Sequence, residues 1–490
     1  MTDPIAVRLR EALAAAGYTY AATTDLLGEG ATAALARNET TPGRRAVRGT
    51  GPLGTLVELW LLQATVPLAA AEAALPGLVD PLCAEGILER SVGEVAARVD
   101  VRPYAVDDGE LLIASDLTPG LDGAPTRVGA DHVLGLSSAS TSLAELTIRR
   151  PVRRALDLGT GCGVQALHLA THADEVVATD VNPRALWLTR LNAGLNDVAI
   201  ELREGSFFEP VAGEQFDLVV TNPPFVISPA TGERLVYRDS GLPGDRVVED
   251  IVRAAPARLT DGGTAQILAN WMVLRDRSWD ERLAGWIEGC DAWVVQREVA
   301  DPAEYVEMWL KDSGHHPATG GDPDDYRRRY DTWLSWLEEQ GASGVGFGWI
   351  NLRRTDAVPA VRLEEWPYDI ARPLGPEIGD HFDRMGALRD STDLLSARLV
   401  LRPDTVQETL GPAGAEDPSQ ILVRQQTGLR RARQVDTVTA AWLGACDGEL
   451  TLGQIIDAVA QLLGVPSESL RTDAVALARE LIVEGFLDLV

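Results

Sequence analysis

Two short stretches of this 490-residue chain combine residue types that can do chemistry: Asp157-Leu158-Gly159-Thr160-Gly161-Cys162-Gly163 and Asn222-Pro223-Pro224-Phe225. In the first, residues 155–158 read as a short buried strand that breaks into three alternate glycines. Val164, Leu167, Leu169 and Ala170 then recur at a spacing compatible with a helix. A strand, a glycine turn and a helix start let a ligand lie against bare backbone at a positive helix end. Asp180 closes the next apolar run, residues 176–179, where a carboxylate can accept hydrogen bonds from ribose hydroxyls. Alone, this pattern also suits tight packing or a nicotinamide site. The second stretch follows the strand-like run 216–220 and so stands at a strand's carboxyl end, where open α/β sheets bind ligands. Proline cannot continue a central strand, and two in a row stiffen the turn.

In this order the two motifs resemble the class I S-adenosylmethionine-dependent methyltransferases. Within them they are similar to the amino-group methylators that carry an Asn/Asp-Pro-Pro-Tyr/Phe loop. The resemblance covers roughly residues 130–300. It implies S-adenosyl-L-methionine as cofactor and S-adenosyl-L-homocysteine as product, and it assigns roles residue by residue. Asp157, Gly159, Thr160, Gly161 and Gly163 match the cofactor loop, Asp180 the ribose carboxylate, and Asn182 stands beside it. Residues 183–192 are similar to the helix that follows. Ser206 and Phe207 fall on the adenine side, in Gly205-Ser206-Phe207-Phe208. These enzymes usually read Gly-Asp-Leu-Phe there, so the aspartate that contacts the adenine amine is serine here. Asn222, Pro223, Pro224 and Phe225 match the catalytic loop, with Asn222 also bordering the cofactor.

The physical logic of that loop is direct. An amide or aromatic amine has its lone pair delocalised. The Asn222 side-chain oxygen and the Pro223 carbonyl can each accept one N–H, biasing the nitrogen toward tetrahedral character, while Phe225 holds the planar group by stacking. A sulfonium is an intrinsically strong methyl donor, so positioning carries most of the catalysis.

The expected acceptor is a planar amino or amide nitrogen, with a protein glutamine side chain first. Arg238-Asp239-Ser240-Gly241-Leu242-Pro243-Gly244-Asp245-Arg246 and the later Gly262-Gly263 are similar to segments of the protein glutamine-N5 methyltransferases that act on release factors. Phe225 in place of tyrosine is more like the guanine-N2 ribosomal RNA enzymes, and adenine-N6 enzymes share the loop. An rRNA or DNA base, or a small-molecule amine, therefore stays open as the alternative. A net charge of −29 favours a protein or small-molecule acceptor, because phosphate binding rests on Lys/Arg density. Arg430-Arg431-Ala432-Arg433 is the best remaining candidate for a nucleic-acid contact, with a solvated loop the favoured reading. His168 and His172 have the i, i+4 spacing of a helical metal pair but no third ligand, so no metal is expected. Cys83, Cys162, Cys290 and Cys446 lie far apart, making neither zinc site nor disulfide framework. No window reaches 18 apolar residues and the amino terminus lacks a secretory pattern, so a cytoplasmic protein without membrane partners is expected.

The elements that must position these residues follow from the alternation of strand-like and helical runs. Strands are expected at 155–158, 175–180, 199–203, 216–221, 264–269 and 292–298, with 344–352 as a last one and helices such as 183–194 and 247–258 between. That pattern predicts an α/β fold with a doubly wound, Rossmann-like, mostly parallel sheet. Residues 131–355 form the methyltransferase domain, with an insertion at 300–344 too long for a hairpin. The insertion interleaves Tyr326, Tyr330, Trp333 and Trp336 with arginines; these aromatics suit either a substrate grip or, at helical spacing, a core. Residues 1–95 are expected to be helical, 40–45 a polar loop, 96–130 a β-rich connector, and 356–490 an α+β domain. Both ends carry an apolar helix that stops at glycine, Gly86 and Gly485, followed by an apolar residue, Leu and an acid. Winged-helix-like units are therefore expected at both.

Overall fold

Runs of β-branched and apolar residues between helices build the sheet that frames the site. The computed structural model describes residues 4–107, 109–124, 128–129, 131–230, 241–391, 393–413 and 419–490. The chain divides into two units, Met1–Ala144 with Arg150–Pro359, and Glu145–Arg149 with Ala360–Val490.

In the first unit seven strands pair: β1 (Val152–Leu158), β2 (Ala173–Asp180), β3 (Glu201–Glu204), β4 (Phe216–Thr221), β5 (Leu259–Leu274), β6 (Cys290–Ala300) and β7 (Ala342–Arg354). Their order is β6-β7-β5-β4-β1-β2-β3. The five strands from β3 to β5 run parallel, and β7 is antiparallel to both its neighbours. The accompanying helices are α1 (Ser138–Leu146), α2 (Val164–Leu169), α3 (Pro183–Leu195), α4 (Arg246–Arg258), α5 (Pro302–Asp312) and α6 (Pro323–Glu339). Residues 155–158 and 176–179 are buried throughout, as strands covered on both faces must be. This is the doubly wound, mostly parallel α/β architecture that the strand–helix alternation predicts. The chain leaves β1 for β2 and β3, then returns to β4 on β1's other side. That reversal opens a crevice between the ends of β1 and β4.

The antiparallel part is longer than expected, with β5 spanning 16 residues and β7 spanning 13. β7 extends two residues beyond each end of the expected 344–352 and runs through its glycines. An added Cβ at Gly346 would stand 2.4 Å from Trp271 Nε1, and one at Gly348 would stand 2.7 Å from the same indole. The glycines leave room for the Trp271 ring, so they extend the strand and do not interrupt it.

Ahead of the sheet, helices Pro4–Ala15, Tyr20–Leu35 and Thr41–Ala46 pack together. The last replaces the polar loop expected at 40–45. Pro42 sits in its first turn, where proline is tolerated, and the Thr40 amide donates to Asp122 at 2.7 Å. Strands Val66–Pro67, Leu88–Ser91 and Glu94–Ala97 form an antiparallel sheet in the order first, third, second. Helices Leu68–Ala74 and Val79–Ala84 lie between the first two strands in sequence. A hairpin of Asp100–Val106 and Gly109–Ser115 then docks on α3. The Asn192 carboxamide accepts from the Ala114 amide at 2.6 Å and donates to its carbonyl at 2.8 Å; Asn196 does the same to Leu112 at 2.8 and 2.7 Å. Two side chains one helical turn apart thus take the place of a neighbouring strand. One apolar core joins Leu9, Leu13 and Trp60 to Leu167 of α2 and to Leu188 and Leu191 of α3.

In the second unit, strands Asp447–Thr451, Arg398–Leu401 and Leu487–Leu489 form an antiparallel sheet with Arg398–Leu401 central. Helices Thr437–Gly444, Leu452–Leu463 and Ser467–Glu484 surround a core that includes Trp442, Leu481 and Phe486. The helix–strand–helix–helix–strand order matches the N-terminal module, but the central strand comes from upstream. Two of the arginines of 430–433 are used internally. Arg431 pairs with Glu364 at 2.5 Å and lies over the Trp366 ring, and Arg433 pairs with Glu484 at 3.0 Å. Arg431 and Arg433 are thus stitches within this unit, while Arg430 is exposed. Among the described residues no helix is long and apolar enough to cross a membrane.

Candidate active site

A cavity of about 590 Å³ lies at the switch point between β1 and β4. Asp157, Gly159, Thr160, Gly161, Asp180, Asn182, Ser206, Phe207, Asn222, Pro223, Pro224 and Phe225 all border it. Gly163 is the one predicted site residue that does not. The two motifs meet because their strands are neighbours. Leu158 stands opposite Thr221, whose hydroxyl donates to the Leu158 carbonyl at 2.7 Å.

The glycine loop turns sharply over the end of β2. Gly159 and Gly161 have φ of 76° and 57°, and a Cβ at either would meet nothing within 4 Å. They present open backbone to the cavity in a conformation that disfavours other residues. The Gly159 and Thr160 amides both donate to the Thr179 carbonyl at 2.9 Å. Gly163 has φ of 87°, and a Cβ there would come within 2.8 Å of Thr189 on α3, so this glycine serves helix packing.

Asp157 acts beneath the loop. Its Oδ2 accepts from Thr160 Oγ1 at 2.6 Å and from the Ala166 amide at 2.9 Å, fastening the loop to α2. The residue is 1% exposed, and burial pushes its carboxyl up to about 7. Asp180 works at the rim. Its Oδ2 accepts from the Gly161 amide at 2.9 Å and its Oδ1 from the Asn182 amide at 2.8 Å. Burial raises its pKa, and each oxygen keeps a further lone-pair direction for a ligand hydroxyl. Asn182 caps α3 by accepting from the Arg184 amide at 3.0 Å and donates to the Asp131 carbonyl at 2.9 Å. Phe207 carries a positive φ of 43°, rare for a bulky residue and a mark of local strain at the cavity wall. Ser206 precedes it, its carbonyl accepting from the Glu209 amide at 2.9 Å.

On the β4 side, the Asn222 side-chain oxygen is screened from solvent and accepts no hydrogen bond. Buried polar atoms are nearly always satisfied, so an orphan acceptor on a cavity wall marks where a donor belongs. Beyond Pro223 and Pro224 the chain is clamped from the insertion. The Ile227 amide donates to Tyr305 Oη at 2.9 Å, and its carbonyl accepts from Trp333 Nε1 at 2.8 Å. Tyr305 and Trp333 are fully buried in a core against which Phe225 packs. Trp333 is therefore core, and the arginines beside it fold back on α6 itself, Arg329 onto Asp325 at 2.8 Å.

Arg238, Asp239 and Ser240 lie outside the described residues. The rest of that segment is a joint, with Asp245 accepting from the Met272 amide at 2.8 Å and pairing with Arg282. Sequence reasoning missed His132, Leu134 and Gln165, which also border the cavity. Only Gln165 left a signal, a polar residue breaking the apolar start of a helix.

With the geometry in hand, likeness to known proteins becomes informative. A model described as the methyltransferase small domain matches residues 135–282. Two others, described only as domains of unknown function, match residues 15–98 and 379–488. The release factor glutamine methyltransferase of Xylella fastidiosa (strain Temecula1) is 37% identical over 147 residues, 27% of this chain and 49% of that protein. The ribosomal protein uL3 glutamine methyltransferase of Bradyrhizobium diazoefficiens is 32% identical over 166 residues, 30% of this chain and 52% of that protein. The release factor glutamine methyltransferase of Cereibacter sphaeroides is 32% identical over 199 residues, 38% of this chain and 68% of that protein. This chain belongs to the class I S-adenosylmethionine-dependent methyltransferases. It spans about half the length of the first two of these relatives. In this methyltransferase the matched domain holds both motifs and ends before α5, so the insertion that clamps Ile227 lies outside it.

Proposed function

We propose that this methyltransferase transfers the methyl group of S-adenosylmethionine to the amide nitrogen of a protein glutamine side chain. The observation that carries the reading is the orphan Asn222 oxygen, set across one cavity from an open glycine loop and a ribose-competent carboxylate. A nucleoside donor fits the residues present. Gly159 and Gly161 admit it against bare backbone, Asp180 retains acceptor capacity, and the cavity volume is that of a small-molecule site.

S-adenosylmethionine held there supplies a sulfonium methyl; the acceptor nitrogen forms the new N–C bond as the S–C bond breaks, giving S-adenosylhomocysteine, and the displaced N–H proton passes to water. The chain's own work is orientation. Asn222 Oδ1 and the Pro223 carbonyl accept the two N–H groups of a primary amide, which orients the amide and biases its nitrogen toward tetrahedral character, with the lone pair aimed at the methyl group. Pro224 limits the freedom of that carbonyl, and Phe225 presents a ring to the planar group. Asp157 keeps the glycine loop in shape from below.

A glutamine acceptor is supported by the names of the similar proteins and by the chain's acidity. The cytoplasm is the compartment we assign, because the four cysteines are free thiols. The test is methyl-tritium transfer from labelled cofactor into a cell lysate, sorted by protease and ribonuclease digestion. The expected label is protease-sensitive and is recovered as methylglutamine after proteolysis. Ribonuclease-sensitive label would move the acceptor to an RNA base, and no label in any fraction would overturn the reading.

A further inference from the structure

The reading above, on which this inference rests, uses three sides of the cavity. Asp180 and Asn182 meet the ribose, Ser206 and Phe207 the base, and Asn222 to Phe225 the acceptor. The lining that remains includes Ser137, Ser140 and Gln165 on the first turn of α2, next to the glycine loop, together with His132 and Leu134. It must receive the donor's amino-acid tail, whose ammonium needs acceptors once it is taken out of water.

Gln165 is built for that task. Its Nε2 donates to the Ser140 carbonyl at 2.7 Å, which fixes the plane of the carboxamide. Its Oε1 is buried and has no hydrogen-bond partner. The residue is 5% exposed, on a helix whose neighbouring Val164, Ala166 and Leu167 are apolar and buried. A buried acceptor left empty is destabilising, so a glutamine held in this pose is explained by a donor arriving from the cavity.

We infer that Gln165 Oε1 accepts an N–H from the ammonium of the cofactor's amino-acid tail, making Gln165 a positioning residue for the cofactor. Asn222 and Gln165 then play matched parts, each an orphan acceptor filled by a nitrogen, one on the methyl acceptor and one on the methyl donor.

The experiment is isothermal titration of the full chain with three ligands. S-adenosylhomocysteine carries ammonium and carboxylate, its decarboxylated form carries the ammonium alone, and 5′-methylthioadenosine carries neither. Gln165→Met keeps length and volume but removes both amide hydrogen bonds. It should weaken the first two ligands about tenfold or more and leave the third within about twofold, the scale of a hydrogen bond to a charged group. Gln165→Glu keeps an acceptor oxygen and should retain the preference for the ammonium-bearing ligands. Equal weakening of all three would make Gln165 a structural prop and overturn the inference. So would no weakening at all, which would mean that water fills the site. A loss seen with S-adenosylhomocysteine but not with its decarboxylated form, or a glutamate variant no more discriminating than the methionine one, would overturn it too. A wild-type chain that binds none of the three refutes the reading of the site itself, and this inference with it.

Discussion

Asn222 and Asp157 show how differently two polar residues of one cavity are used. Asn222 offers an acceptor to the substrate, so Asn222→Ala should slow single-turnover methyl transfer by roughly 10²-fold, the scale of losing one preorganised polar group. Cofactor affinity, measured in parallel, should hold, and Asn222→Asp should keep part of the rate because a carboxylate also accepts an N–H. A Asn222→Ala variant as fast as wild type would reduce the loop to a structural turn. Asp157 never needs to meet the substrate. Its carboxyl titrates near 7 in the folded chain against an ordinary value of 3.8, so the native state holds a proton that the unfolded chain releases. Stability from this group is therefore full below about pH 4 and declines as pH rises toward 7. Asp157→Asn, which still accepts from Thr160 and Ala166, should flatten the denaturation midpoint across that window; parallel pH profiles for the two proteins would refute it. At this scale the glycines, Asp180 and Asn222 were legible because such residue types are rare at such spacings. Gln165 left only the weak signal of a polar residue in an apolar helix start, and periodicity, which weighs where apolar residues fall, passes over it.

The insertion between β6 and β7 is where elements matter more than residues. Helical spacing made α6 visible, but its purpose depends on a contact between Trp333 and Ile227, residues 106 apart, which no local pattern encodes. Through that contact two buried rings from α5 and α6 hold both backbone groups of the residue just beyond the acceptor loop. Trp333→Phe keeps the packing and deletes the N–H, leaving the Ile227 carbonyl unsatisfied. The expected outcome is a several-fold loss in kcat or a rise in KM for the acceptor with cofactor Kd unchanged, and a matching fall in both affinities would assign the indole to general stability. The helix Thr41–Ala46 was misread for a related reason. Its proline, glycine and arginines have loop composition, yet Thr40 is anchored by Asp122, 82 residues away. The buried strands β1, β2 and β4 were legible because they are continuous apolar runs, whereas the strand Val361–Glu365, half-buried or exposed along its length, was not foreseen. Strand length was not legible, because β5 runs on through Asp261, Gly262 and Gly263 at one end and past Asn270 at the other, residues that break its apolar run.

For the molecule as a whole, the N-terminal 90 residues present themselves in sequence as a detachable module. The core tells otherwise, since Leu9, Leu13 and Trp60 share one cluster with Leu167 and Leu188 of the helices flanking the glycine loop. Deleting residues 1–90 should therefore abolish the cooperative thermal transition of the first unit and cofactor binding with it. A truncated chain that melts cooperatively and binds cofactor like wild type would show that the shared core is dispensable. The second unit poses another question, one of timing. Its central strand, Arg398–Leu401, buries Leu399 completely, yet both flanking strands, Asp447–Thr451 and Leu487–Leu489, are made after it. On the ribosome this strand emerges with two open edges and waits for both partners, the second arriving only at the far end of the unit. Synthesis therefore passes through a stage in which this strand has no sheet partner, a row of open backbone groups until residues 447–451 and then 487–489 have been made.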